Sequence, residues 1–127
     1  PDSAKRYLEM FKNTYLIYVV QRTGKTNERL LSAKKVYASD LGIHNLFTGF
    51  RDKGSIFENY VYLKIKDKNP SYVYEGGNEI DFLTEDKILI EVKYNSDMSQ
   101  KQKELFDRTQ AKKKIIISDI FDLKKLN

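Results

Sequence analysis

The stretch EIDFLTEDKILIEVK, residues 79–93, decides the fold because it contains two short apolar strands and the turn between them. The turn predicts a hairpin register in which Phe82 faces Ile90 on an apolar face. On the other face the same register places Asp81 opposite Glu91, and like charges directly opposite each other destabilise a sheet. A divalent cation between the two carboxylates would convert the repulsion into coordination, since hard cations take oxygen ligands. The hairpin therefore raises the hypothesis of a metal site.

Lys93 adds a second feature to this hairpin face, because it lies two residues beyond Glu91 on the same strand. An ammonium there would hold a water molecule beside the metal and offset charge that develops on a phosphate. The alternative is a structural pair between Glu79 and Lys93, with Asp81 and Glu91 both in solvent. Two leucines on that face argue against full exposure, but a register shift of one residue would exchange the faces. Both interpretations stay open.

Glu58 is the third acidic candidate. In SIFENYVYLKI, residues 55–65, it shares a helical stripe with Val61 and Tyr62, which places a carboxylate near the core side of the helix. An equally good alternative is a capping box, in which Glu58 accepts a hydrogen bond from the Ser55 amide.

Patterning along the chain predicts the remaining elements. Two apolar strands near 14–22 and 34–39 follow a first helix and form a hairpin, as in the second half of a winged helix. Next comes a short helix or turn within 40–50. A helix over 55–66, strands near 72–75, 79–84 and 88–94, a helix over 99–111 capped by Ser99 with Gln102, and a fully apolar strand at 113–118 complete the chain. This order predicts an α/β fold with a mixed sheet and an αβββαβ core.

The segment TGKT, residues 23–26, resembles part of a phosphate-binding loop. The full motif requires glycine four residues before Gly-Lys-Thr, and that position is Val19 in an apolar strand, with no helix expected to follow. We therefore expect a wing tip, no ATP site and no ATPase activity from this fragment. His44 is the only histidine, and without cysteine it has no partners for a zinc site, so a loop or packing role is predicted.

Composition limits the function classes. The chain of 127 residues has a net charge of +5 and a pI near 9.3, which permits attraction to nucleic acid. The absence of cysteine excludes disulfides and thiol catalysis and suits the cytoplasm. We expect no membrane span, and the start at Pro1 without methionine leads us to expect a piece of a longer protein. The basic residues expected to contact DNA phosphates are Lys5, Arg6, Lys12, Arg22, Lys25 and Arg29.

The acidic residues resemble the motif of the PD-(D/E)XK nuclease superfamily, which includes restriction endonucleases. The motif here is Asp81, a hairpin, and then Glu91-Val92-Lys93, although Ile80 replaces the usual proline. The resemblance implies a restriction-endonuclease-like core and an upstream helical glutamate, which Glu58 matches. It implies Mg²⁺ or Mn²⁺ bound by Asp81, Glu91, Glu58 and the Val92 carbonyl. It also implies catalysis by Glu58, Asp81, Glu91 and Lys93, with Lys93 orienting the attacking water.

A second resemblance covers nearly the whole chain. The motifs RYLEMFKNTYLIYVV, KKVYASDLGI, GSIFENYVYLKI, GGNEIDFLTEDKILIEVKYN and KKIIIS are similar to the C-terminal domain of unknown function in prokaryotic AAA-family ATPases. This resemblance implies an upstream ATPase domain as partner. Together with the winged-helix pattern at the start of the chain, it leads us to expect two units: 1–40, the C-terminal half of a winged helix, and 41–127, the nuclease-like domain.

Three functions follow as expectations from these observations. The first is a divalent-metal-dependent DNA phosphodiesterase. The second is a catalytically silent DNA-binding or regulatory module of the ATPase. The third is a module that only docks onto the ATPase or another protein through its apolar strands.

Overall fold

The computed structural model describes residues 2–48 and 52–127, with the backbone alone for 46–48. Gly49, Phe50 and Arg51 lie outside the described residues, and so does the end of the segment predicted within 40–50. In the described part of the chain, no helix is long and apolar enough to cross a membrane.

The helices and strands follow the predicted order, with the exception of α2, which patterning did not predict. The elements are α1 (Asp2–Asn13), β1 (Ile17–Val20), α2 (Thr26–Leu31), β2 (Lys35–Ala38), α3 (Leu41–Thr48), α4 (Lys53–Ile65), β3 (Ser71–Glu75), β4 (Asn78–Leu83), β5 (Ile88–Val92), α5 (Gln100–Arg108) and β6 (Lys113–Ile117). Short 3-10 helices follow α4 and β6, at Lys66–Lys68 and Ile120–Leu126. The mixed α/β class is confirmed, and the elements from α4 to β6 have the order αβββαβ.

The main sheet has the strand order β3-β4-β5-β6. The first two pairings are antiparallel, as tight turns allow, whereas β5 and β6 are parallel because α5 crosses over between them. The β4–β5 hairpin pairs Phe82 with Ile90 and Leu83 with Leu89, which confirms the register predicted from the turn. A fully apolar strand is typical of a covered position in a sheet, but β6 is an edge strand and Ile116 is 38% exposed.

Apolar side chains cover both faces of this sheet. On one face, Val61 and Tyr62 of α4 pack with Phe82 and Ile90. On the other face, Leu105 and Phe106 of α5 pack with Val73, Ile80 and Leu89 of the sheet. Strict alternation along β4 would place Ile80 on the same face as Phe82, but Ile80 lies on the α5 side of the sheet. The regular alternation of β4 is broken next to Asp81.

The hairpin of β1 and β2 packs into the same core as α4. Val20 and Tyr37 belong to the cluster on the α4 face, and the Tyr37 ring stacks on Tyr62 with centroids 4.4 Å apart. Asn59 of α4 fixes the end of β2, because its side chain accepts a hydrogen bond from the Ala38 amide (2.8 Å) and donates one to the Ala38 carbonyl (3.0 Å). These contacts hold β2 against α4. The division of the chain near residue 40 stays a prediction.

The loop of this hairpin contains a helix that patterning did not predict. The segment expected to form a wing tip contains α2, in which Glu28 accepts a hydrogen bond from the Lys25 amide at 2.9 Å. The expectation that no helix follows TGKT is therefore wrong. The local cap made by Glu28 accounts for the helix, since it satisfies an amide at the first turn that would otherwise lack a partner.

Candidate functional site

Asp81 of β4 and Glu91 of β5 are buried side by side, with 7% and 1% of their surface exposed. Glu91 Oε2 accepts a hydrogen bond from the Asp81 amide (3.0 Å), and Asp81 Oδ2 accepts one from the Val92 amide (2.9 Å). Each carboxylate thus takes a backbone donor of the opposite strand. This exchange begins directly after the pair formed by Phe82 and Ile90, and it coincides with the break in alternation at Ile80.

Burial sets the protonation of these two carboxyls. It raises the pKa of Asp81 to about 7; Glu58 adds to the rise, and Lys35 opposes it. Burial likewise raises the pKa of Glu91 to about 8, and the nearby charge of Asp81 adds to the rise. Because two adjacent buried carboxyls do not ionise independently, the pair retains a proton near neutral pH.

Lys35, the first residue of β2, lies among three carboxylates. Its Nζ is 2.7 Å from Glu58 Oε1, 2.7 Å from Glu79 Oε1 and 3.3 Å from Asp81 Oδ1. Burial alone would lower the pKa of Lys35, but Glu58 and then Asp81 outweigh it and raise that pKa above the ordinary value of a lysine. Lys35 is therefore a charged ammonium inside this group. We call the carboxylates of Glu58, Glu79, Asp81 and Glu91 the acidic cluster.

Sequence reasoning did not identify Lys35 or Tyr37 as site residues. The Tyr37 hydroxyl donates to Glu58 Oε1 at 2.6 Å, so β2 supplies two donors to the same oxygen. One signal was available, because residues two apart on a strand share a face. If an aromatic residue such as Tyr37 points inward, Lys35 points inward as well and requires anionic partners.

Glu58 does not cap its own helix, so the capping-box alternative is wrong. The cap of α4 is Asp52, whose Oδ1 accepts the hydrogen bond from the Ser55 amide at 2.9 Å. The amide that Glu58 was expected to bind is thus already satisfied. Its carboxylate instead contacts Lys35 and Tyr37, and its role at a metal ion stays a prediction.

Lys93 and Gln102 border the acidic cluster on the side of Glu91. Lys93 Nζ lies 3.4 Å from Glu91 Oε1, and Glu79 pairs with Lys35, so the alternative pair of Glu79 with Lys93 is not formed. Gln102 forms the predicted capping box with Ser99. Its Nε2 also donates to the Glu79 carbonyl at 3.0 Å. The cap of α5 thereby contacts the strand that carries Asp81.

The chemistry of the acidic cluster suits a hard divalent cation, since carboxylate oxygens are the preferred ligands. Its arrangement does not yet suit one. Among residues 2–48 and 52–127, no group of three or more acidic or histidine side chains has the geometry to hold a metal ion. Glu58 and Asp81 instead share the ammonium of Lys35. The predicted ligands Asp81, Glu91 and Glu58 are thus close together but not arranged around a common metal position.

A cleft of about 330 Å³ opens beside Lys35. Of the acidic cluster, Glu58 and Glu79 lie in the wall of this cleft. His44 lies in that wall, where it is buried and its Nε2 is 2.9 Å from Ser55 Oγ, in agreement with the predicted packing role. The lining residues include Lys35, Tyr37, His44, Ser55, Glu58 and Glu79.

The basic residues expected at DNA fall into two places. Lys5, Arg6 and Lys12 lie exposed on α1. Arg22 and Arg29 line a second cleft of about 500 Å³ together with Lys87. Lys25 lies exposed immediately before α2.

Arg22 is partly committed to the fold. Its Nη2 donates to the Tyr74 carbonyl at 2.8 Å, and its guanidinium group lies 5.6 Å from the centre of the Tyr74 ring. This basic residue therefore braces the hairpin against β3 as well as lining the cleft.

Comparison with protein families gives a match over the second half of the chain. A family model described as "Domain of unknown function (DUF4143)" matches residues 53–122. The matched range includes Glu58, Asp81, Glu91 and Lys93, and β2 with Lys35 lies outside it. No curated protein and no solved structure matches the chain.

Proposed function

The chain belongs to the DUF4143 family, whose function is unknown. From the residues of its site, we propose that it is a divalent-metal-dependent DNA phosphodiesterase module, carried as the C-terminal region of an AAA-family ATPase. One observation supports this proposal most strongly. Glu58 of α4 and Asp81 of β4 share the Lys35 ammonium, Glu91 of β5 accepts a hydrogen bond from the Asp81 amide, and Lys93 lies beside Glu91. Burying several carboxylates costs stability, which a purely structural core has no reason to accept.

The backbone contacts of the site orient the carboxylates. The amides of Asp81 and Val92 each hold one carboxylate oxygen, and the second oxygens, Asp81 Oδ1 and Glu91 Oε1, lie toward Lys35 and Lys93. Asp81, Glu91, Glu58 and the Val92 carbonyl would hold Mg²⁺ or Mn²⁺. When bound, such a cation would polarise a phosphoryl oxygen of the substrate and lower the pKa of a bound water molecule.

Lys93 contributes a positive charge beside Glu91. Its ammonium would hold the attacking water and offset the charge that builds on the phosphate. The water oxygen would form the new bond to phosphorus and give up one proton to solvent, while the bond to the 3′ oxygen breaks and that oxygen takes up a proton from solvent. The products would be a 5′-phosphate and a 3′-hydroxyl, as the superfamily resemblance implies. The cleft lined by Arg22 and Arg29 would bind the phosphate backbone.

A second candidate function is a catalytically silent DNA-binding or regulatory module of the ATPase. The contacts of Lys35 favour it, because one ammonium already lies within 3.3 Å of Glu58, Glu79 and Asp81. A cluster that carries its own cation does not need a metal ion to be stable.

Titration of Mn²⁺ into the chain by calorimetry separates the two candidates, with a DNA-nicking assay in parallel. The phosphodiesterase proposal expects saturable binding that Asp81→Ala abolishes, and cleavage that Asp81→Asn abolishes. Asp97→Asn, an exposed acid outside the cluster, is the matched control and should behave as the wild type. Binding or cleavage that persists without Asp81 would refute the proposed site. No binding and no cleavage at millimolar Mn²⁺ would favour the silent module.

A further inference from the structure

The environment of the Lys35 ammonium is formed by side chains from several elements of the fold. Its side chain is only 20% exposed, and its Nζ contacts carboxylates from α4 and β4. The rings of Tyr37, Tyr72 and Phe82 lie 5.6 to 6.0 Å from the same nitrogen. Carboxylates and aromatic faces both favour a cation at this point.

Two of the three carboxylates that Lys35 contacts are residues that the proposed function assigns to the metal. These are Glu58 and Asp81, at 2.7 and 3.3 Å from Nζ. A carboxylate oxygen that holds an ammonium at hydrogen-bond distance cannot hold a divalent cation at the same place, because the two positive charges would repel each other strongly in a buried site.

We propose that the Lys35 ammonium is the internal cation of the acidic cluster, and that it competes with a divalent metal ion for Glu58 and Asp81. The inference rests on the proposed function, since it concerns the same site. In this proposal the metal ion binds to Glu58 and Asp81 only when the Lys35 ammonium moves away from them. Lys35 thereby sets the metal concentration at which the site becomes loaded.

The surroundings allow the exchange without unfolding the hairpin. The far end of β2 is fixed by the bonds of Asn59 to Ala38, and its middle by the Tyr37–Tyr62 stack. Lys35 is the first residue of the strand and borders the 330 Å³ cleft. Rotation of its flexible side chain into the cleft would free both carboxylates while the backbone of β2 stays in place.

The test measures Mn²⁺ affinity by calorimetry for the wild type, Lys35→Gln and Lys34→Gln. The neutral amide of Lys35→Gln still donates to carboxylates but carries no charge. Lys34→Gln makes the same charge change on the neighbouring residue, whose Nζ donates to the Arg29 carbonyl instead. We expect Lys35→Gln to bind Mn²⁺ about tenfold more tightly or better, and Lys34→Gln to bind as the wild type does. A larger Mn²⁺-dependent rise in Tm for Lys35→Gln is a second readout.

Lys35→Arg keeps the proposal testable if Lys35→Gln does not fold. The guanidinium group keeps the charge and offers more donors to carboxylates, so its Mn²⁺ affinity should fall below that of the wild type. An affinity equal to or higher than the wild-type value would overturn the competition.

The outcomes distinguish this inference from the proposed function. If the wild type binds Mn²⁺ at Asp81 but Lys35→Gln binds no more tightly, the competition is overturned and the metal site survives. Equal gains in Lys35→Gln and Lys34→Gln would also overturn it, since they would reflect net charge alone. If neither the wild type nor any Lys35 variant binds Mn²⁺, both proposals fail. Binding that appears only in Lys35→Gln supports the competition in its strongest form.

Discussion

Asp81→Asn should change how the stability of this protein depends on pH. The substitution keeps the shape of the side chain and an oxygen that can accept the Val92 amide, and it removes the charge. Because Asp81 is 7% exposed, the native state favours its protonated form. The wild type must therefore lose stability over the pH range in which Asp81 is ionised in the unfolded chain but still protonated in the folded chain.

The sign and size of the effect follow from the pKa of Asp81, which burial raises from 3.8 to about 7. Between these values the folded state binds more protons than the unfolded state, so unfolding becomes easier as pH rises. The full difference corresponds to at most roughly 4 kcal/mol. Asparagine also removes one of the three anionic partners of Lys35 and points an amide donor at it. We therefore expect a net gain of about 1–2 kcal/mol for Asp81→Asn at pH 8.

Urea denaturation at pH 5 and pH 8, in buffer with a chelator, measures this effect. The wild type should lose more free energy of unfolding between the two pH values than Asp81→Asn does. Asp97→Asn should lose as much as the wild type, because its side chain is exposed. If Asp81→Asn and the wild type lose the same amount, the buried Asp81 carboxyl is not the source of the pH dependence, and the reasoning is refuted.

The remaining predictions concern anchoring, capping and DNA. Asn59→Ala leaves both backbone groups of Ala38 without their partners and should cost about 2–4 kcal/mol in urea denaturation; a loss below about 1 kcal/mol would contradict the anchor. Ser99→Ala should cost about 1 kcal/mol through the lost cap of α5, and an unchanged midpoint would show that the cap contributes nothing. Lys25→Glu combined with Arg29→Glu should weaken DNA binding and flatten its salt dependence, whereas an unchanged slope would mean that the segment with Lys25 and Arg29 does not contact phosphates.

Local rules predicted the central hairpin well. The turn and the period of two gave the pairing of Phe82 with Ile90 and of Leu83 with Leu89, since both depend only on neighbouring residues. The face of Ile80 could not be predicted in this way. The ladder stops there because side chains replace backbone partners, and a periodic pattern cannot show where that replacement begins.

The acidic cluster was partly predictable. Asp81 and Glu91 followed from the register, but Lys35 lies 23 residues from Glu58 and 46 from Asp81 along the chain. Their contact depends on how the hairpin of β1 and β2 packs on α4. No local spacing rule carries that information.

Two competing local rules explain the other errors. For Glu58 the capping-box rule competed with the site hypothesis. The Ser55 amide donates to Asp52 instead of Glu58, so Glu58 is not the cap. For α2 the interpretation as a wing tip predicted a loop, but the hydrogen bond from the Lys25 amide to Glu28 caps a helix of six residues.

The match to the family begins at residue 53, after β2. Lys35 and Tyr37 nevertheless provide a cation and a hydroxyl to the carboxylate of Glu58. A fragment trimmed to the matched range would expose a concentration of negative charge that the longer chain neutralises. Such a fragment would attract calcium, magnesium and other cations through its uncompensated negative charge. A metal affinity measured on it would reflect the loss of Lys35 and not the binding site of the longer chain.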